Sequence, residues 1–574
     1  MDLSTLSPEC LVQADLVPAP CPVRAWRSPL FDRPANWRPW LLASTSDGAD
    51  AQCAQGRVGW LEMYGGAGVG ANAGGVRCAN VDGWQLKGVG ASILAGRTTD
   101  HWHRHGAMSV QDAVKEAVWG ELFEAASPGS AVRCGAVFDL GLRFATEIGE
   151  AKTPSSAPQA VLCRQIPVRI AHFLRSSFID AGDVLAARDV SRMQSGIPRL
   201  ADWLRAQAPV QPGEPLAKDG LESLIPALVA VYGATIDQLA VLRTKRLIHG
   251  SLIPSNLSLD GRLLDFTTAT AVSTLQPFLV SPGGYASDHQ QLQALDSLED
   301  LVFYLAKFDP RLNHPRTRCV EVGEEIRRQL IARHVHSLKR AHARLTGFSA
   351  VELAALPPAL VEALADHVLM LVRAGDTRVR LYYGGDEHTM PPASEKDDPF
   401  AAIAAALLAG AGLPLPRTDR YAPRPEAFGV ERVACLTATI RAASCWLDGG
   451  SPHPRRTLTR VFRAMQWHAD LEPLYRRRLD GDIHAVVDGG LPFAPFIDDT
   501  LTRWRDLLRT PDDGQVTLTG WLTDSPWRLD AQGDVWQGAR SSTLKALGCA
   551  PAAKHSMGRH RWLFDLLLAL NDET

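Results

Sequence analysis

Residues 248–266 read IHGSLIPSNLSLDGRLLDF, and this stretch decides the fold. The dipeptide Asp260-Gly261 at its centre is typical of a two-residue hairpin turn, which needs positive φ angles. Such a turn would place Asn256 directly opposite Asp265. Opposed residues of an antiparallel pair have Cβ atoms roughly 4.5–5.5 Å apart. An amide oxygen and a carboxylate so placed predict a two-ligand site for Mg²⁺, which prefers oxygen ligands.

The same stretch has the residue order of the metal-binding loop in protein-kinase-type folds. There, an asparagine and the aspartate of Asp-Phe-Gly hold the metal ions. Here Asn256 and Asp265 stand at those places, and the kinase His-Arg-Asp triplet reads His249-Gly250-Ser251. A plain hairpin with polar residues beside its turn is the alternative. The coincidence of all these features favours the kinase-type interpretation.

A kinase-type site also needs a lysine on a strand and a glutamate on a helix that holds it. Lys87 lies in a strand-like Gln-Leu-Lys-Gly sequence that follows a glycine-rich stretch at 65–77. Glu116 lies in the middle of a helix predicted over 109–126, where apolar residues recur at helical spacing. The lysine would neutralise phosphate oxygens, and the glutamate would fix its position. Taken alone, a lysine such as Lys87 is more often a solvated surface residue.

Composition limits the classes of protein to which the chain can belong. It has 574 residues, with 60 Lys plus Arg against 63 Asp plus Glu, so the net charge is −3 and a strongly basic nucleic-acid binder is excluded. Ten cysteines without a Cys-x-x-Cys pair indicate reduced thiols. The N-terminus lacks the pattern of a signal peptide, and the uncharged stretch at 399–416 is too short to span a membrane. We expect a cytoplasmic, soluble protein without nucleic-acid or membrane partners.

These observations predict an α+β fold of the bilobal protein-kinase type, with a small N-lobe sheet, a helical C-lobe and an extra, mainly helical C-terminal region. Strands are predicted near 131–138 and 160–166. The predicted organisation has four parts: an irregular N-terminal wrap at 1–55, an N-lobe at 56–180, a C-lobe at 181–385 and a helical extension at 399–574.

Five segments resemble the selenoprotein O (YdiU) family of kinase-fold protein adenylyltransferases, in order and in rough spacing. They are YGGAGVG (64–70), WQLKGVG (84–90), VKEAVWGEL (114–122), LCRQIP (162–167) and HGSLIPSNLSLDGRLLDF (249–266). The resemblance covers about residues 55–305. The chain also resembles the MchC-type proteins of microcin maturation, which are similar to that family and imply a role in peptide natural-product maturation.

The resemblance implies that the chain binds ATP in a flipped orientation and transfers AMP to hydroxyl side chains. It implies that Lys87 contacts phosphates and pairs with Glu116, and that Asn256 and Asp265 are the metal ligands. Arg169 is the nearest substitute for the second of two phosphate-binding arginines. The full implied nucleotide-binding set is Gly74, Gly75, Arg77, Lys87, Asp100, Arg164 and Arg169.

One departure from the family concerns the proton acceptor. The family has an aspartate immediately before the metal-binding asparagine, and here the candidate catalytic residue at that place is Ser255; the ordinary kinase base is replaced by Ser251. A serine cannot act as a carboxylate base at neutral pH. Three interpretations stay open. Proton removal is unimportant, the acceptor is a carboxylate that is already ionised, or the chain is a pseudoenzyme that binds nucleotide as a scaffold.

The sequence thus predicts a nucleotidyltransferase that uses ATP and Mg²⁺ and acts on a protein or peptide acceptor. Phosphate transfer is the runner-up, followed by activation of a carboxylate on a precursor peptide. A partner tailoring enzyme is a further expectation. Catalysis would depend on neutralising the charge of the phosphates.

Overall fold

The structure is a computed structural model, and all structural statements below concern the residues that it describes. These residues are 2–43, 56–99, 101–148, 153–176, 178–207, 220–272, 275, 278–279, 289–374, 380–381, 399–413, 428–467, 469, 471–509, 515–518, 527–532, 534–537, 539–542, 546–547 and 563. They form a mixed α+β protein with a multi-strand antiparallel sheet and many helices.

A nine-stranded antiparallel sheet occupies the N-terminal part of the chain. Its strands are β1 (Leu11–Pro18), β2 (Arg24–Arg27), β3 (Trp40–Leu42), β4 (Arg57–Glu62), β5 (Cys78–Val81), β6 (Trp84–Lys87), β7 (Met108–Ser109), β8 (Cys134–Ile148) and β9 (Thr153–Arg164). The spatial order is β2-β8-β9-β6-β5-β4-β1-β3, and β7 pairs with β9. The predicted strands near 131–138 and 160–166 correspond to parts of β8 and β9.

The N-terminal segment differs from the irregular wrap predicted for 1–55. Its described part contributes β1, β2 and β3 to the large sheet. β1 pairs along its length with β4, where Leu11 is opposite Glu62, and β2 pairs with β8. These strands were missed because β2 and β3 have only 4 and 3 residues and β1, LVQADLVP, does not alternate strictly between apolar and polar residues, while other strands supply the pairing partners.

Helices form most of the remaining structure. The first ten are α1 (Leu3–Leu6), α2 (His101–Arg104), α3 (Val110–Ala126), α4 (Asp183–Gln207), α5 (Ile225–Thr244), α6 (Gln290–Leu295), α7 (Leu298–Phe308), α8 (Arg316–Arg344), α9 (Ala350–Ala355) and α10 (Pro358–Ala374). Two-stranded pairings join β10 (Leu247–Ile248) to β11 (Thr270–Ala271) and β12 (Phe278–Leu279) to β13 (Arg380–Leu381).

The C-terminal region is mainly helical, as predicted, but it also contains a small sheet. Its helices are α11 (Pro399–Gly410), α12 (Val430–Asp448), α13 (Pro454–Gln466), α14 (Arg476–Asp488) and α15 (Phe493–Leu508). The sheet consists of β14 (Val516–Thr517), β15 (Trp527–Leu529), β16 (Val535–Gln537) and β17 (Arg540–Ser542), all antiparallel.

Helix α3 is the element on which the site is built. The predicted range, 109–126, is confirmed to within one residue, since the helix spans Val110–Ala126. Ser109 is its N-cap, and the Ser109 side chain accepts a hydrogen bond from the backbone N–H of Asp112 at 3.0 Å. Strands β8 and β9 pack on one side of α3, and α14 and α15 pack on another. A helix covered in this way has little exposed surface, and even its charged residues Lys115, Glu116 and Glu121 are buried.

Alternation along the strands decides which side chains face α3. In β6, Trp84 and Leu86 belong to an apolar cluster that includes β1, β4 and β5. Gln85 and Lys87 therefore point to the opposite face of the sheet, because successive side chains alternate. Between the two apolar clusters, the ends of β6 and β9 bring together the buried polar residues Gln85, Lys87 and Arg164.

One helical stretch, Leu221–Thr244, is long and apolar enough by composition to cross a membrane, and 56% of its most apolar window is buried inside the protein. Its apolar residues pack in the large core cluster with α7 and α8. The structure is compatible with a soluble protein.

Candidate functional site

Lys87 lies at the centre of the candidate site. Its Nζ is 2.7 Å from Glu116 Oε2 and 2.9 Å from Asp265 Oδ1. The lysine side chain is only 3% exposed, and a buried ammonium group requires counter-charges of this kind. The predicted pairing of Lys87 with Glu116 is confirmed, and Asp265 joins it from a segment 178 residues further along the chain.

Glu116 binds a second cation with its other oxygen. Arg164 Nη1 donates to Glu116 Oε1, and Arg164 Nε donates to Gln85 Oε1 at 2.7 Å. Gln85 and Arg164 are directly opposed in the β6–β9 register, so both side chains point toward α3. Burial works against the charge of Arg164, but Glu116 outweighs it and raises the pKa of the guanidinium. Arg164 is thus engaged by protein groups, and its contact to Glu116 fixes the carboxylate.

The hairpin at 257–263 has a different register from the predicted one. Leu257 pairs with Leu263, and Leu264 N donates to Asn256 O at 3.1 Å. The loop has three residues rather than two, because Ser258 N donates to Arg262 O at 2.9 Å. A two-residue turn of the predicted type needs two positive φ angles, whereas a three-residue loop needs one left-handed position.

Gly261 supplies that left-handed position, with φ +85°. The one-residue shift means that Asn256 lies opposite Leu264 and that Asp265 is not directly opposed to it, which corrects the predicted geometry. Asp265 leaves the strand in a left-handed conformation of its own, with φ 65° and ψ 70°. Non-glycine residues adopt this conformation at a cost and are concentrated at functional sites. This conformation accompanies the contact between the Asp265 carboxylate and Lys87.

The electrostatics of Asp265 favour its ionised form. Burial alone would raise the pKa of this carboxyl, but the charges of Lys87, Arg77 and Arg164 and the hydrogen bond from Lys87 outweigh it and hold the pKa well below its usual range. The side chain nevertheless keeps 30% exposure. Asp265 is therefore an anionic group that a ligand can reach from solvent.

The oxygen atoms near Asp265 fit a magnesium site. Both hydrogen bonds to its carboxylate, from Lys87 and Thr267, go to Oδ1. Asn256 Nδ2 donates to Ser251 O at 3.1 Å, and it also lies 3.4 Å from Ser251 Oγ. Within the described residues no hydrogen bond is donated to Asp265 Oδ2 or to the amide oxygen of Asn256. These are oxygen donors of the type that Mg²⁺ takes.

A bound Mg²⁺ would need ligands from outside the protein as well. In the described parts of the chain, no group of three or more His, Cys, Asp or Glu side chains is arranged to hold a metal ion. Mg²⁺ usually keeps one or two carboxylate ligands and completes its shell with waters and substrate phosphates. The Asn256 and Asp265 oxygens match that mode and do not match a structural metal site.

The two serines at the proton-acceptor positions lie in the same loop. Ser251 accepts from Asn256, as described above, and the backbone carbonyl of Ser255 accepts from Arg169 Nη1. Ser255 is buried, and it belongs to a short 3₁₀ helix, Pro254–Asn256. Both serines shape the loop through their backbone or hydroxyl groups, and neither brings a carboxylate to it.

His249 connects the loop to α3 through an aromatic cluster. Its ring lies 5.2 Å from the ring of Phe266 and 6.1 Å from that of Phe123, between centroids. Its Nδ1 accepts from Ser251 N at 3.3 Å, so Nε2 carries the proton and donates to Leu264 O at 3.1 Å. Burial lowers the pKa of His249 to about 4, so the imidazole is neutral at physiological pH.

Arg169 lies in a second buried network below the glycine-rich loop. Its guanidinium is 3% exposed and donates to Ser255 O, to Gln85 Oε1 at 3.1 Å and to Glu62 Oε2 at 3.4 Å. It also stacks under the ring of Tyr64, 5.1 Å from its centroid. A contact of Arg169 with a phosphate would require one of these bonds to break. The arginine couples the sheet to the loop at 254–256.

Glu62 is a residue that the sequence analysis missed. Burial raises its pKa, but the neighbouring imidazole of His172, 3.4 Å away, the charge of Arg169 and the hydrogen bond from Asn80 lower it to about 2. The signal was present, because Glu62 stands between Leu61 and Met63 in an otherwise apolar stretch. A charged residue so flanked indicates a buried carboxylate with a buried partner.

The glycine-rich loop connects β4 to β5. Gly75 N donates to Glu62 O at 2.9 Å, and Gly74 pairs with Met63. Gly74 has φ +148°, and a Cβ at this position would lie 2.2 Å from Glu62 O, so only glycine fits. Gly74 and Gly75 therefore hold the end of the loop against the last residue of β4.

Arg77 and Asp100 complete the predicted nucleotide-binding set. Arg77 is half-buried, Arg77 Nη1 donates to Ala107 O at 3.5 Å, and its positive charge contributes to the low pKa of Asp265. Asp100 lies outside the described residues. Arg77, Lys87 and Asp265 thus belong, with Glu116 and Arg164, to the charged part of the predicted site that the structure brings together.

No protein-family model matches the chain, and no curated protein matches it significantly.

Proposed function

We propose that the chain is a bilobal, protein-kinase-like transferase that uses ATP and Mg²⁺ to move AMP to a protein or peptide acceptor, in the manner of the selenoprotein O family. The observation that carries this proposal is the double contact of Lys87 Nζ with Glu116 and Asp265. In kinase-type sites the strand lysine, the helix glutamate and the aspartate of the Asp-Phe-Gly motif must be in place together.

Each group has a defined task in the proposal. Lys87 and Arg77 would neutralise phosphate oxygens, and the glycine-rich loop would bring backbone N–H groups to them. Asn256 and Asp265 would hold Mg²⁺, which neutralises the charge that develops on the phosphates. An acceptor oxygen forms a bond to the α-phosphorus of ATP, the bond from that phosphorus to the bridging oxygen breaks, and pyrophosphate leaves. The proton of a hydroxyl acceptor passes to the departing pyrophosphate or to water.

A second candidate function is the activation of a carboxylate. It is favoured by one observation, namely that serines occupy both positions, 251 and 255, where related enzymes have a carboxylate base. A carboxylate acceptor with a pKa of about 4 is already ionised at neutral pH and has no proton to lose. Attack by it on ATP would give an acyl adenylate and pyrophosphate. A precursor peptide that a partner tailoring enzyme then modifies is an acceptor of this kind.

The test is incubation of the full chain with Mg²⁺ and either α-labelled or γ-labelled ATP, with a peptide library that contains Ser, Thr, Tyr, Asp and Glu. We expect α-labelled ATP to transfer its label to the chain itself or to a peptide. The rate of this labelling should be more than 100-fold lower in the Asp265→Asn variant. Asp260→Asn, on the tip of the same hairpin, is the control and should label normally. Transfer of the γ-label alone would replace AMP transfer by phosphate transfer.

Three further outcomes decide between the remaining interpretations. Hydroxylamine removes an acyl adenylate but leaves a phosphodiester intact, so sensitivity to it identifies a carboxylate acceptor. ATP binding with no transfer of either label would contradict the enzyme proposal and favour a nucleotide-binding scaffold. Absence of ATP binding would contradict both.

A further inference from the structure

Helix α3 presents charged residues on two sides. Glu116 and Phe123 are seven residues apart, or about two turns, so they share the side that faces the candidate site. Lys115 and Glu121 project from other sides and are also buried, with side chains 5% and 2% exposed. The elements that cover them come from the C-terminal region, α14 and α15.

Ion pairs connect these outward-facing residues to the C-terminal helices. Lys115 Nζ lies 2.6 Å from Asp480 Oδ1 of α14. Arg505 of α15 lies 3.1 Å from Glu121 Oε2, which Arg133 also contacts at 2.6 Å. We call the pairs Lys115–Asp480 and Glu121–Arg505 the outer clamp. The α3 members of these pairs, Lys115 and Glu121, are six residues apart. The pairs therefore fix both the position of the helix along its axis and its rotation about that axis.

A third contact fixes the end of α3. Lys245 Nζ donates to Ala126 O, the last carbonyl of α3, at 2.5 Å, and also to Leu508 O, the last carbonyl of α15. A cation at the C-termini of two helices compensates the partial negative charge of both. Lys245 lies three residues before the segment 248–266 in the chain. The loop of the candidate site and both helices therefore share this anchor.

The Lys115–Asp480 pair is costly to break. Burial lowers the pKa of Lys115, and the carboxylate of Asp480 opposes that effect. If Asp480 lost its charge, Lys115 would have to shed its proton or move toward water. Since Lys115 and Glu116 are neighbours on one helix, a shift of the helix that brings Lys115 toward water also displaces Glu116 relative to Lys87.

We propose that Asp480 and Arg505 are positioning residues, through which the C-terminal region holds α3 at the depth where Glu116 meets Lys87. The inference rests on the proposed function, because it assigns the C-terminal region a role in assembling the ATP site. The region is then an internal activator of the site, which requires α14 and α15 to be docked before nucleotide can be used.

The decisive comparison uses two neighbouring aspartates on α14. Asp480→Asn removes the carboxylate that faces Lys115. Asp482→Asn removes one that faces Arg478, at 3.5 Å, on an exposed part of the same helix. For both variants and the wild type we would measure amide hydrogen exchange in α3 without nucleotide, the affinity for ATP and the KM and kcat of α-label transfer.

We expect Asp480→Asn to speed exchange in α3 at least tenfold and to lower kcat at least tenfold, while Asp482→Asn matches the wild type. The exchanged pair Lys115→Asp with Asp480→Lys should recover at least a third of kcat, which a general loss of packing would not allow. Arg505→Gln should shift both readouts in the same direction by two- to threefold.

Wild-type exchange and kcat in Asp480→Asn would overturn the inference, as would equal effects of Asp480→Asn and Asp482→Asn. If Asp480→Asn fails to fold, the Arg505→Gln variant decides. We expect this variant to fold, since Glu121 still has Arg133 as a counter-charge. An unchanged kcat in Arg505→Gln overturns the inference. Wild-type protein that binds no ATP contradicts the proposed function instead, and the exchange data still report whether α14 holds α3.

Discussion

Lys115 and Glu116 are neighbours in the chain, yet they belong to two different charge clusters on different sides of α3, about 100° apart around the helix axis. On the site side, Glu116 meets Lys87 and Arg164, and all three side chains are no more than 3% exposed. On the outer side, the partners of Lys115 and Glu121 are more exposed to solvent: the side chain of Asp480 is 34% exposed and that of Arg505 is 46% exposed. The two clusters contain the same kinds of groups and differ in access to water.

That difference decides what each cluster can do. A fully buried ion pair that loses one partner leaves an uncompensated charge, which is strongly destabilising. In each outer pair one partner is partly exposed and can recover hydration, so breaking the pair leaves only the buried partner, Lys115 or Glu121, to find water or another counter-charge. The site side therefore determines whether the site exists, and the outer side adjusts how firmly α3 is held.

The largest effect is expected for Glu116→Gln. The substitution removes the shared partner of Lys87 and Arg164 and should lower the free energy of unfolding by roughly 3–5 kcal/mol. Urea denaturation of the full chain measures it. Glu121→Gln is the matched variant on the outer side. There the loss of charge-assisted hydrogen bonds should lower the free energy of unfolding by a smaller amount, roughly 1.5–3 kcal/mol. An equal or larger loss in Glu121→Gln would remove the distinction between the two sides.

A second prediction concerns His249, which packs against α3 on the site side. The pKa of His249 is about 4 in the folded protein, below the ordinary 6.5 of the unfolded chain. The unfolded state therefore binds this proton first, so stability is complete above pH 6.5 and falls as the pH drops toward 4. The contribution of this one group amounts to roughly 3 kcal/mol across that range.

His249→Gln should remove this part of the pH dependence, as measured by denaturation midpoints between pH 7 and pH 4. Protonation of the wild-type ring would bring a proton onto Nδ1, which faces the N–H of Ser251. His484→Gln, at an exposed histidine on the outer side, is the control and should leave the profile unchanged. A profile that is identical in wild type and His249→Gln would contradict the assignment of a neutral, buried imidazole.

The site-side residues could be predicted from the sequence because short motifs carry them. Lys87, Glu116 and Asp265 stand at spacings that kinase-type chemistry demands, and the helix around Glu116 has clear periodicity. The predicted pairing of Asn256 with Asp265 was wrong by one residue, because Asn256 lies opposite Leu264. A tight Asp-Gly turn supports loops of two or three residues, and the packing of Gly261 against Ala234 is not visible in the local sequence.

The outer side could not be predicted in this way. Lys115 and Asp480 belong to helices that are far apart in the chain, and nothing in the segment 114–122 around Lys115 indicates its partner. Their burial depends on how α14 docks on α3, which is a property of tertiary packing. The strands β1, β2 and β3 escaped prediction for the same reason, since β1 and β2 pair with β4 and β8, which lie far along the chain, and β3 is held by its pairing with β1.

The smallest expected effect is that of Arg505→Ala on stability. Arg505 is half-exposed, and Arg133 remains within 2.6 Å of Glu121 after the substitution, so Glu121 keeps a counter-charge. Exposed pairs contribute about 0.2–1 kcal/mol, and we expect a loss in that range by urea denaturation, with weaker dependence on salt than in the wild type. A loss above about 2 kcal/mol would mean that the outer side behaves like the site side. In that case α15 would be as essential to the fold around Lys87 as Glu116 itself, and the idea of an adjustable outer clamp would have to be given up.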